Sequence, residues 1–422
     1  MSRSLKVFGA LLFGLVLGAG VGANAATTTT GKTRRHSAGT ARVATTVKGG
    51  SGSSHVGSTH SASIHRGKTH VVATHGVVGH HRGARPTLAV RRTRYQEHFS
   101  ASSYADNLTL GDVVDGEDPL VRAAAIEALG NMNGTAIAID PSTGRILAMV
   151  NQKLALSRGA EPCSTIKLTV ALAALEEGIV RNDTPVNLGG HYHMTMTEAL
   201  AHSNNLYFET LGRQLGFERV KHYANQFGLG ELAGYHIQGE QLGTYPDEVL
   251  PASLGGVGRM CSFGESVSMT PLQLGALVSA IANGGTLYYL QHPETAEDAA
   301  TFEPKVKRVL DIAPLIPEIS VGMSGAVEYG TARSLRANFS QFPVMGKTGT
   351  CSNNGTRFGW FGSFADTPKG RIVTVFFLEG GRPTFGPKAA ELTGEFYRAL
   401  WNKDYFLQKQ TVENSGVMGG SE

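Results

Sequence analysis

The residues in this sequence best suited to covalent chemistry are a serine and a lysine three positions apart, Ser164 and Lys167. On a helix, residues three apart lie on one face, so the Lys167 amine can stand beside the Ser164 hydroxyl. A serine hydroxyl is a weak nucleophile until a neighbouring base takes its proton. Lysine can be that base when burial or nearby positive charge lowers its pKa. The pair predicts a serine nucleophile that forms an ester, although ordinary helices often contain the same spacing.

A second candidate set, Ser203-Asn204-Asn205, follows 39 residues after Ser164, near an expected helix start. The Ser203 hydroxyl can pass a proton between Lys167 and a departing amine. The Asn205 amide can donate a hydrogen bond to one end of a substrate peptide group and accept one from the other. By itself, the set is equally typical of a turn or a helix cap.

The third set reads Lys-Thr-Gly-Thr from Lys347 to Thr350 and follows an apolar approach that predicts a strand. The lysine cation can attract the terminal carboxylate of a substrate, and the hydroxyls of Thr348 and Thr350 can hydrogen-bond it. Gly349 leaves room for a substrate backbone beside the strand. The backbone N–H of Thr350 would face that of Ser164, which gives two donors for a tetrahedral oxyanion.

In combination and in this order, the three sets resemble the signature of the serine penicillin-recognising enzymes, which are transpeptidases, carboxypeptidases and β-lactamases. Three flanking stretches resemble a penicillin-binding protein transpeptidase domain: GTAIAIDPSTGRILAMV from residue 134, SMTPLQLGALVSAIANGG from residue 268, and GWFGSFAD from residue 359. The resemblance covers residues 118–401 and is greatest to the monofunctional D,D-transpeptidases.

This resemblance implies a serine D,D-transpeptidase that acts on the D-Ala-D-Ala stem peptides of peptidoglycan and that β-lactams inhibit covalently. It implies five catalytic residues, namely Ser164, Lys167, Ser203, Asn205 and Lys347. It also implies substrate contacts from Thr348, Gly349 and Thr350, and an oxyanion hole formed by the N–H groups of Ser164 and Thr350. We expect no cofactor, no metal and no nucleic-acid partner.

Three alternatives stay open at this stage. A D,D-carboxypeptidase would share these residues and use water as the acceptor. A β-lactamase with a carboxylated motif lysine is favoured by the stretch PCSTIK, but that class places a tryptophan between its second and third motifs. Here Trp360 and Trp401 both follow Lys347. A β-lactam sensor would be acylated once without turnover, and such modules usually follow transmembrane helices.

The three cysteines allow one internal disulfide and one free thiol in an exported chain. Cys163 precedes Ser164, and Cys351 follows Thr350. If the N–H groups of Ser164 and Thr350 share one oxyanion hole, these neighbours must lie close together. We therefore predict a Cys163–Cys351 disulfide, with two buried thiols that pack without bonding as the alternative. Cys261 would then have no partner.

The elements that must position these residues are predicted from hydrophobic spacing. The expected helices are residues 119–129 (capped by Asp118), 164–177, 197–212, 271–282 and 388–401. The expected strands are residues 134–139, 145–150, 343–350, 358–365 and 371–378. Strands at both ends with helices between them favour an α+β fold. The resemblance makes it a penicillin-binding/β-lactamase-like fold, with a five-stranded antiparallel sheet flanked by helices.

The first 25 residues are typical of an export signal. Arg3 and Lys6 precede an apolar run from residue 7 to 21, which ends in small residues around Ala25. The run is shorter than the roughly 20 residues that a spanning helix needs. We expect cleavage after Ala25, with retention as an anchor as the alternative, and a location outside the cytoplasm in either case.

Residues 26–111 predict a disordered arm rich in His, Gly, Thr and Ser. Fourteen of the 38 Lys and Arg residues precede Glu97, and none of the 34 Asp and Glu residues does. Such a segment cannot bury enough apolar surface to offset its ordering entropy. Histidines recur every five residues from His55 to His80, a spacing that fits neither a helix face nor a strand face and that fixes no metal geometry.

This arm leaves 24 basic and 34 acidic residues for the rest of the chain. We expect weak, salt-dependent binding of the basic arm to anionic wall or membrane polymers. The transpeptidase domain is predicted at residues 112–405, and a flexible tail at residues 406–422.

Overall fold

The computed structural model describes residues 97–407. The expected signal, the arm up to residue 96 with its histidine repeat, and the tail beyond residue 407 lie outside this range. The helices of the described part are α1 (Pro119–Leu129), α2 (Gln152–Ala155), α3 (Lys167–Glu176), α4 (Met196–Ala201), α5 (Asn205–Leu215), α6 (Phe217–Gln226), α7 (Gly256–Phe263), α8 (Pro271–Asn283), α9 (Ala296–Ala300), α10 (Ile316–Glu328), α11 (Ser334–Asn338) and α12 (Gly386–Asn402).

The strands are β1 (Gly134–Asp140), β2 (Arg145–Val150), β3 (Val186–Gly189), β4 (Tyr192–Met194), β5 (Thr286–Tyr288), β6 (Val306–Val309), β7 (Val344–Asn353), β8 (Thr356–Thr367) and β9 (Gly370–Gly380). The main sheet has the order β2-β1-β9-β8-β7, and all of its neighbouring strands are antiparallel. The predicted α+β fold with a five-stranded antiparallel sheet is therefore confirmed. The strand that carries Lys347 lies at one edge of this sheet.

Apolar side chains bury both faces of the sheet. On β1, Ile137 and Ile139 join one hydrophobic cluster with α3, α5 and α8. The alternate residues Ala136 and Ala138 join a second cluster with α1 and α12. Because helices cover both faces, the strands are nearly continuous apolar runs, and their positions could be predicted from the sequence.

The helix predicted at residues 197–212 is wrong in one respect, because the structure divides it into α4 and α5. Ser203 has φ 56°, in the left-handed region that interrupts a right-handed helix. The Asn204 side chain then accepts a hydrogen bond from Tyr207 N at 2.9 Å and caps α5. The break turns the backbone carbonyl of Ser203 towards α3.

The folded body begins before residue 112, where the arm was predicted to end. Ser103 is buried, its hydroxyl accepts from Gly381 N at 2.7 Å, and its carbonyl accepts from Asn133 N at 2.8 Å. These contacts satisfy backbone groups and bury little apolar surface, so composition gave no sign of them. The body also ends later than residue 405, since Phe406 is buried in the second cluster. Between residues 97 and 407, no helix has the length and apolar character to cross a membrane.

Candidate active site

The nucleophile candidate lies in a tight turn before α3. Residues Cys163–Ile166 form a 3₁₀ turn, and α3 starts at Lys167. A 3₁₀ turn brings residues three apart almost into line. Lys167 Nζ accordingly lies 2.9 Å from Ser164 Oγ. Ser164 is partly exposed and Lys167 is fully buried, so the hydroxyl faces the groove while the amine lies behind it.

The Lys167 amine has four close oxygen neighbours. It donates to the carbonyl oxygen of Ser203 at 2.8 Å and to Asn205 Oδ1 at 2.6 Å. Its other contacts are hydroxyls, Ser164 Oγ at 2.9 Å and Ser203 Oγ at 3.1 Å. A neutral amine has two N–H groups and one lone pair. The two carbonyl acceptors use both N–H groups, which leaves the lone pair for a hydroxyl proton.

Electrostatics favour this neutral form. Burial lowers the pKa of Lys167 well below its usual value, the positive charge of Lys347 lowers it further, and Glu209 opposes the effect. Burial also lowers the pKa of Lys347, to about 7. Each lysine is nearly inaccessible to solvent, so two ammonium groups in this interior would be costly.

The Ser203 hydroxyl connects the two lysines. Its Oγ lies 3.1 Å from Lys167 Nζ and 2.8 Å from Lys347 Nζ. Ser164, Lys167, Ser203 and Lys347 therefore form one continuous hydrogen-bonded chain, with Asn205 attached to it through Lys167. The structure brings together all five side chains that the sequence analysis named as catalytic.

Lys347 lies behind the groove and does not project into it. Its Nζ donates to Thr348 O at 2.9 Å as well as to Ser203 Oγ, and its side chain is fully buried. Direct attraction of a substrate carboxylate by this cation was predicted from the sequence. In the structure the Lys347 amine contacts Ser203 and the strand backbone, while Thr348 and the partly exposed Thr350 lie on the same strand face.

Gly349 was predicted to leave room for a substrate backbone beside the strand, but in the structure a part of the protein itself fills that space. A Cβ at this position would lie 2.8 Å from Pro162 O and 3.2 Å from Thr165 Cγ2. The space beside Gly349 is therefore occupied by the turn that carries Ser164, and does not form an open groove for a substrate backbone. The glycine lets β7 approach this turn closely.

A disulfide joins the same two segments. Cys163 and Cys351 are bonded, with Cα atoms 5.5 Å apart. Ser164 and Thr350 thus each lie one residue from a bridged cysteine, and the bond fastens the nucleophile turn to the edge strand. Cys261 is free and buried, and burial raises the pKa of its thiol to about 12, so it stays protonated and unreactive.

A cleft that the sequence analysis missed continues from Thr350 along β7. Its volume is about 800 Å³, and it is lined by Glu97, Glu161, Arg259, Phe263, Glu265, Ser266, Val267, Ser268, Thr350, Cys351, Ser352, Asn353 and Arg357. Burial raises the pKa of Glu161, nearby Glu265 raises it further, and Arg259 lowers it. The lining comes from four separate segments of the chain, so no single motif indicated that a cleft would form there.

The tryptophan beside the site has its N–H occupied. Trp360 Nε1 donates to Glu161 O at 3.0 Å, and its ring stacks on Phe377 with centroids 3.9 Å apart. The Lys167 amine has no hydrogen bond to a tryptophan within residues 97–407. In the same range, no group of three or more His, Cys, Asp or Glu side chains could hold a metal ion.

Comparison with known families decides the classification. Residues 134–398 match the family described as "Penicillin binding protein transpeptidase domain". The matched range contains every residue of the hydrogen-bonded chain. The protein belongs to this family. We refer below to the described residues 97–407, which contain the matched range, as the domain.

Two curated relatives show how similar in sequence the chain is to known proteins. The chain is 31% identical over 258 residues to "Stage V sporulation protein D" of Bacillus subtilis (strain 168), a match that covers 51% of this chain and 39% of the relative. It is 23% identical over 340 residues to "Peptidoglycan D,D-transpeptidase FtsI" of Escherichia coli (strain K12), with 71% and 54% covered. The chain thus spans about half the length of these relatives or less.

Solved structures support the same fold. The chain is similar to Pseudomonas aeruginosa PBP2 in complex with WCK 5153, with a TM-score of 0.55 and 23% identity over 70% of this chain and 78% of that one. It is also similar to a peptidoglycan glycosyltransferase from Burkholderia ambifaria, with a TM-score of 0.56 and 19% identity over 69% and 97% of the two chains. At these identities the likeness shows the fold.

Proposed function

We propose that this protein is a penicillin-sensitive serine D,D-transpeptidase that cross-links peptidoglycan stem peptides ending in D-Ala-D-Ala. The observation that carries the proposal is the Lys167 amine, whose two N–H groups are taken by the Ser203 carbonyl and Asn205 Oδ1 while Ser164 Oγ lies 2.9 Å away. Such an amine is arranged to take the Ser164 proton. Family membership and the named relatives support the same reaction class.

In the first half-reaction, Lys167 takes the Ser164 proton as Oγ attacks the carbonyl carbon of the penultimate D-alanine. The C=O π electrons move to oxygen, and the N–H groups of Ser164 and Thr350 stabilise the oxyanion. When the carbonyl reforms, the C–N bond breaks. The proton on Lys167 passes through Ser203 to the leaving nitrogen, so D-alanine departs as an amine and an ester remains on Ser164.

In the second half-reaction, an amine of a neighbouring stem peptide attacks this ester. Its proton passes to Lys167 and then to the Ser164 oxygen, which leaves as a hydroxyl. The new peptide bond is the cross-link. Water in place of the amine would give the carboxypeptidase reaction with the same groups.

The groove has distinct features on its two sides, and these orient the substrate. The terminal carboxylate lies by the hydroxyls of Thr348 and Thr350, in the field of Lys347. The acyl side continues past Thr350 into the 800 Å³ cleft, where β7 offers a free edge for main-chain hydrogen bonds. Asn205 lies across the groove and donates to the substrate peptide group.

The occupied N–H of Trp360 argues against the lysine-carboxylated β-lactamase alternative. Such a carbamate needs a tryptophan donor beside the modified lysine, and Trp360 Nε1 is bonded to Glu161 O. The carbamate would also disrupt the two short bonds from Lys167 Nζ to carbonyl oxygens.

The proposed reaction also places the protein outside the cytoplasm, where peptidoglycan is cross-linked. The basic, histidine-rich arm preceding the domain would bind anionic wall or membrane polymers weakly. A salt titration with and without the arm tests this binding, and equal retention of both forms on wall material would contradict it.

The test of the catalytic proposal uses the full chain and three readouts. Fluorescent penicillin should label the protein covalently, and Ser164→Ala should abolish the label. A D-Ala-D-Ala peptide should release D-alanine and, with a D-amino acid as acceptor, give the exchanged peptide. Release without exchange would indicate a carboxypeptidase, fast nitrocefin hydrolysis a β-lactamase, and labelling without peptide turnover a sensor.

A further inference from the structure

A hydroxyl from outside the three motifs contacts the substrate-facing strand. Thr331 Oγ1 lies 2.6 Å from Thr348 Oγ1. Thr348 is 4% exposed, whereas Thr331 is partly exposed. Within residues 97–407, the Thr331 hydroxyl has no other hydrogen-bond partner. Thr331 therefore contacts the Thr348 hydroxyl, which in the proposed function binds the substrate carboxylate.

The turn that carries Thr331 is held firmly between the second and third motifs. Thr331 N donates to Ala201 O at 3.0 Å, at the end of α4 and two residues before Ser203. Ala332 N donates back to Ala326 O of α10 at 2.7 Å. A Cβ on Gly330 would overlap Ala201 O, so only glycine lets the turn approach this closely. The turn is thereby fixed to the segment that precedes the Ser203 break.

The direction of the hydrogen bond follows from counting protons. Each threonine hydroxyl has one proton to donate. A carboxylate has only acceptor atoms, so Thr348 must point its proton at the substrate. The Thr348 oxygen is then free to accept, and Thr331 supplies the proton. Donation by Thr331 also polarises the Thr348 O–H group and strengthens its bond to the anion.

We infer that Thr331 is a positioning residue, which holds the Thr348 hydroxyl as a donor and thereby favours substrates that end in a free carboxylate. This inference rests on the proposed function. Its distinctive consequence is selectivity: losing the Thr331 hydroxyl should harm carboxylate-bearing acyl donors and spare those whose carboxylate is esterified, because an ester lacks the charge that the donor recognises.

The experiment compares acylation of the full chain by benzylpenicillin and by its methyl ester, each in competition with fluorescent penicillin. Thr331→Val keeps the β-branched shape and removes the hydroxyl. Thr331→Ser keeps the hydroxyl and removes only the methyl group. We expect Thr331→Val to slow acylation by the acid about tenfold and by the ester less than about twofold, with Thr331→Ser near the unchanged protein. In a Thr348→Val background, adding Thr331→Val should have no further effect.

Thr301→Val is a matched control, because Thr301 bonds only Glu297 O at the end of α9. Equal slowing with both probes, failure of the serine variant to restore the rate, or no slowing at all would each overturn the role of Thr331. These outcomes differ from failure of the proposed function, in which the unchanged chain itself is not labelled by any penicillin.

Discussion

The Ser203 Oγ atom lies 2.8 Å from the Lys347 Nζ atom, although 144 positions separate the two residues in the chain. The same oxygen lies 3.1 Å from Lys167 Nζ. One hydroxyl therefore connects Lys167, the proposed base, with Lys347, which lies behind the groove. Removing it would break the hydrogen-bonded link between the two lysines.

We expect Ser203→Ala to slow acylation by penicillin about 100-fold or more, since it removes the proposed proton relay. The measurement is the second-order labelling rate with fluorescent penicillin. Ser142→Ala is the control, because that hydroxyl bonds only Asp140 in the hairpin turn. A labelling rate within a factor of about two of the unchanged protein would show that the relay is unnecessary.

The stability of the domain should increase with pH above neutrality. Burial places the folded-state pKa of Lys347 at about 7, below the usual 10.5, so the unfolded chain binds more protons between these values. The free energy of unfolding then rises with pH, by at most about 1.4 kcal/mol per pH unit for one lysine. Urea denaturation from pH 7 to 10 measures it, and Lys347→Met should reduce the slope. Identical slopes for both proteins would contradict the assignment.

Activity should also depend on pH in a definite direction. Lys167 must be neutral to accept the Ser164 proton, and burial with the nearby Lys347 charge lowers its pKa. Acylation should therefore be slow in acid and increase as the pH rises through this lowered pKa. Rates with a penicillin from pH 4 to 9 provide the profile. A rate that declines over this whole range would exclude Lys167 as the base.

Gly349→Ala should reduce both stability and acylation. The new Cβ would lie 2.8 Å from Pro162 O, so β7 and the nucleophile turn would have to separate. We expect a loss of about 1 to 3 kcal/mol in the free energy of unfolding, together with slower labelling by penicillin. Unchanged stability with slower labelling would instead favour the substrate role first expected for this glycine.

Breaking the Cys163–Cys351 bond should loosen the same junction. A double alanine variant should lose about 2 to 5 kcal/mol of stability, because the bond closes a long loop, and it should react more slowly with penicillin. Thermal unfolding and labelling rates test both effects. Cys261→Ala is the control for losing a thiol. In the oxidised, denatured protein, a thiol count other than one would contradict the assigned pairing.

The sequence predicted the parts of the site that depend on local spacing. Ser164 and Lys167 are three residues apart, so their contact follows from the backbone of one turn. Ser203 and Lys347 could be assigned to one site only because each motif supplied a group that the others lacked. Their direct contact is visible only in the folded structure. Burial of Lys347 was missed for the same reason, since a lysine within a predicted strand gives no sign of what packs over it.

Other features depended on long-range packing and had no local signal. Thr331 lies in a Gly-Thr pair that occurs in many turns, and only its distance to Thr348 makes it notable. The helix break at Ser203 has a weak signal, a run of cap-forming residues within an apolar pattern, which propensity alone could not separate from a continuous helix. The cleft beside Thr350 is formed by four segments, and no single one of them predicts a cavity.

The pairing of β1 with β9 joins strands from opposite ends of the domain at the centre of the sheet. Closing so long a loop is entropically costly and makes folding slow. A growing chain would lack its central strand pair until almost all of the polypeptide had been made. The groove between Ser164 and β7, which is built on this sheet, would therefore form only late in folding.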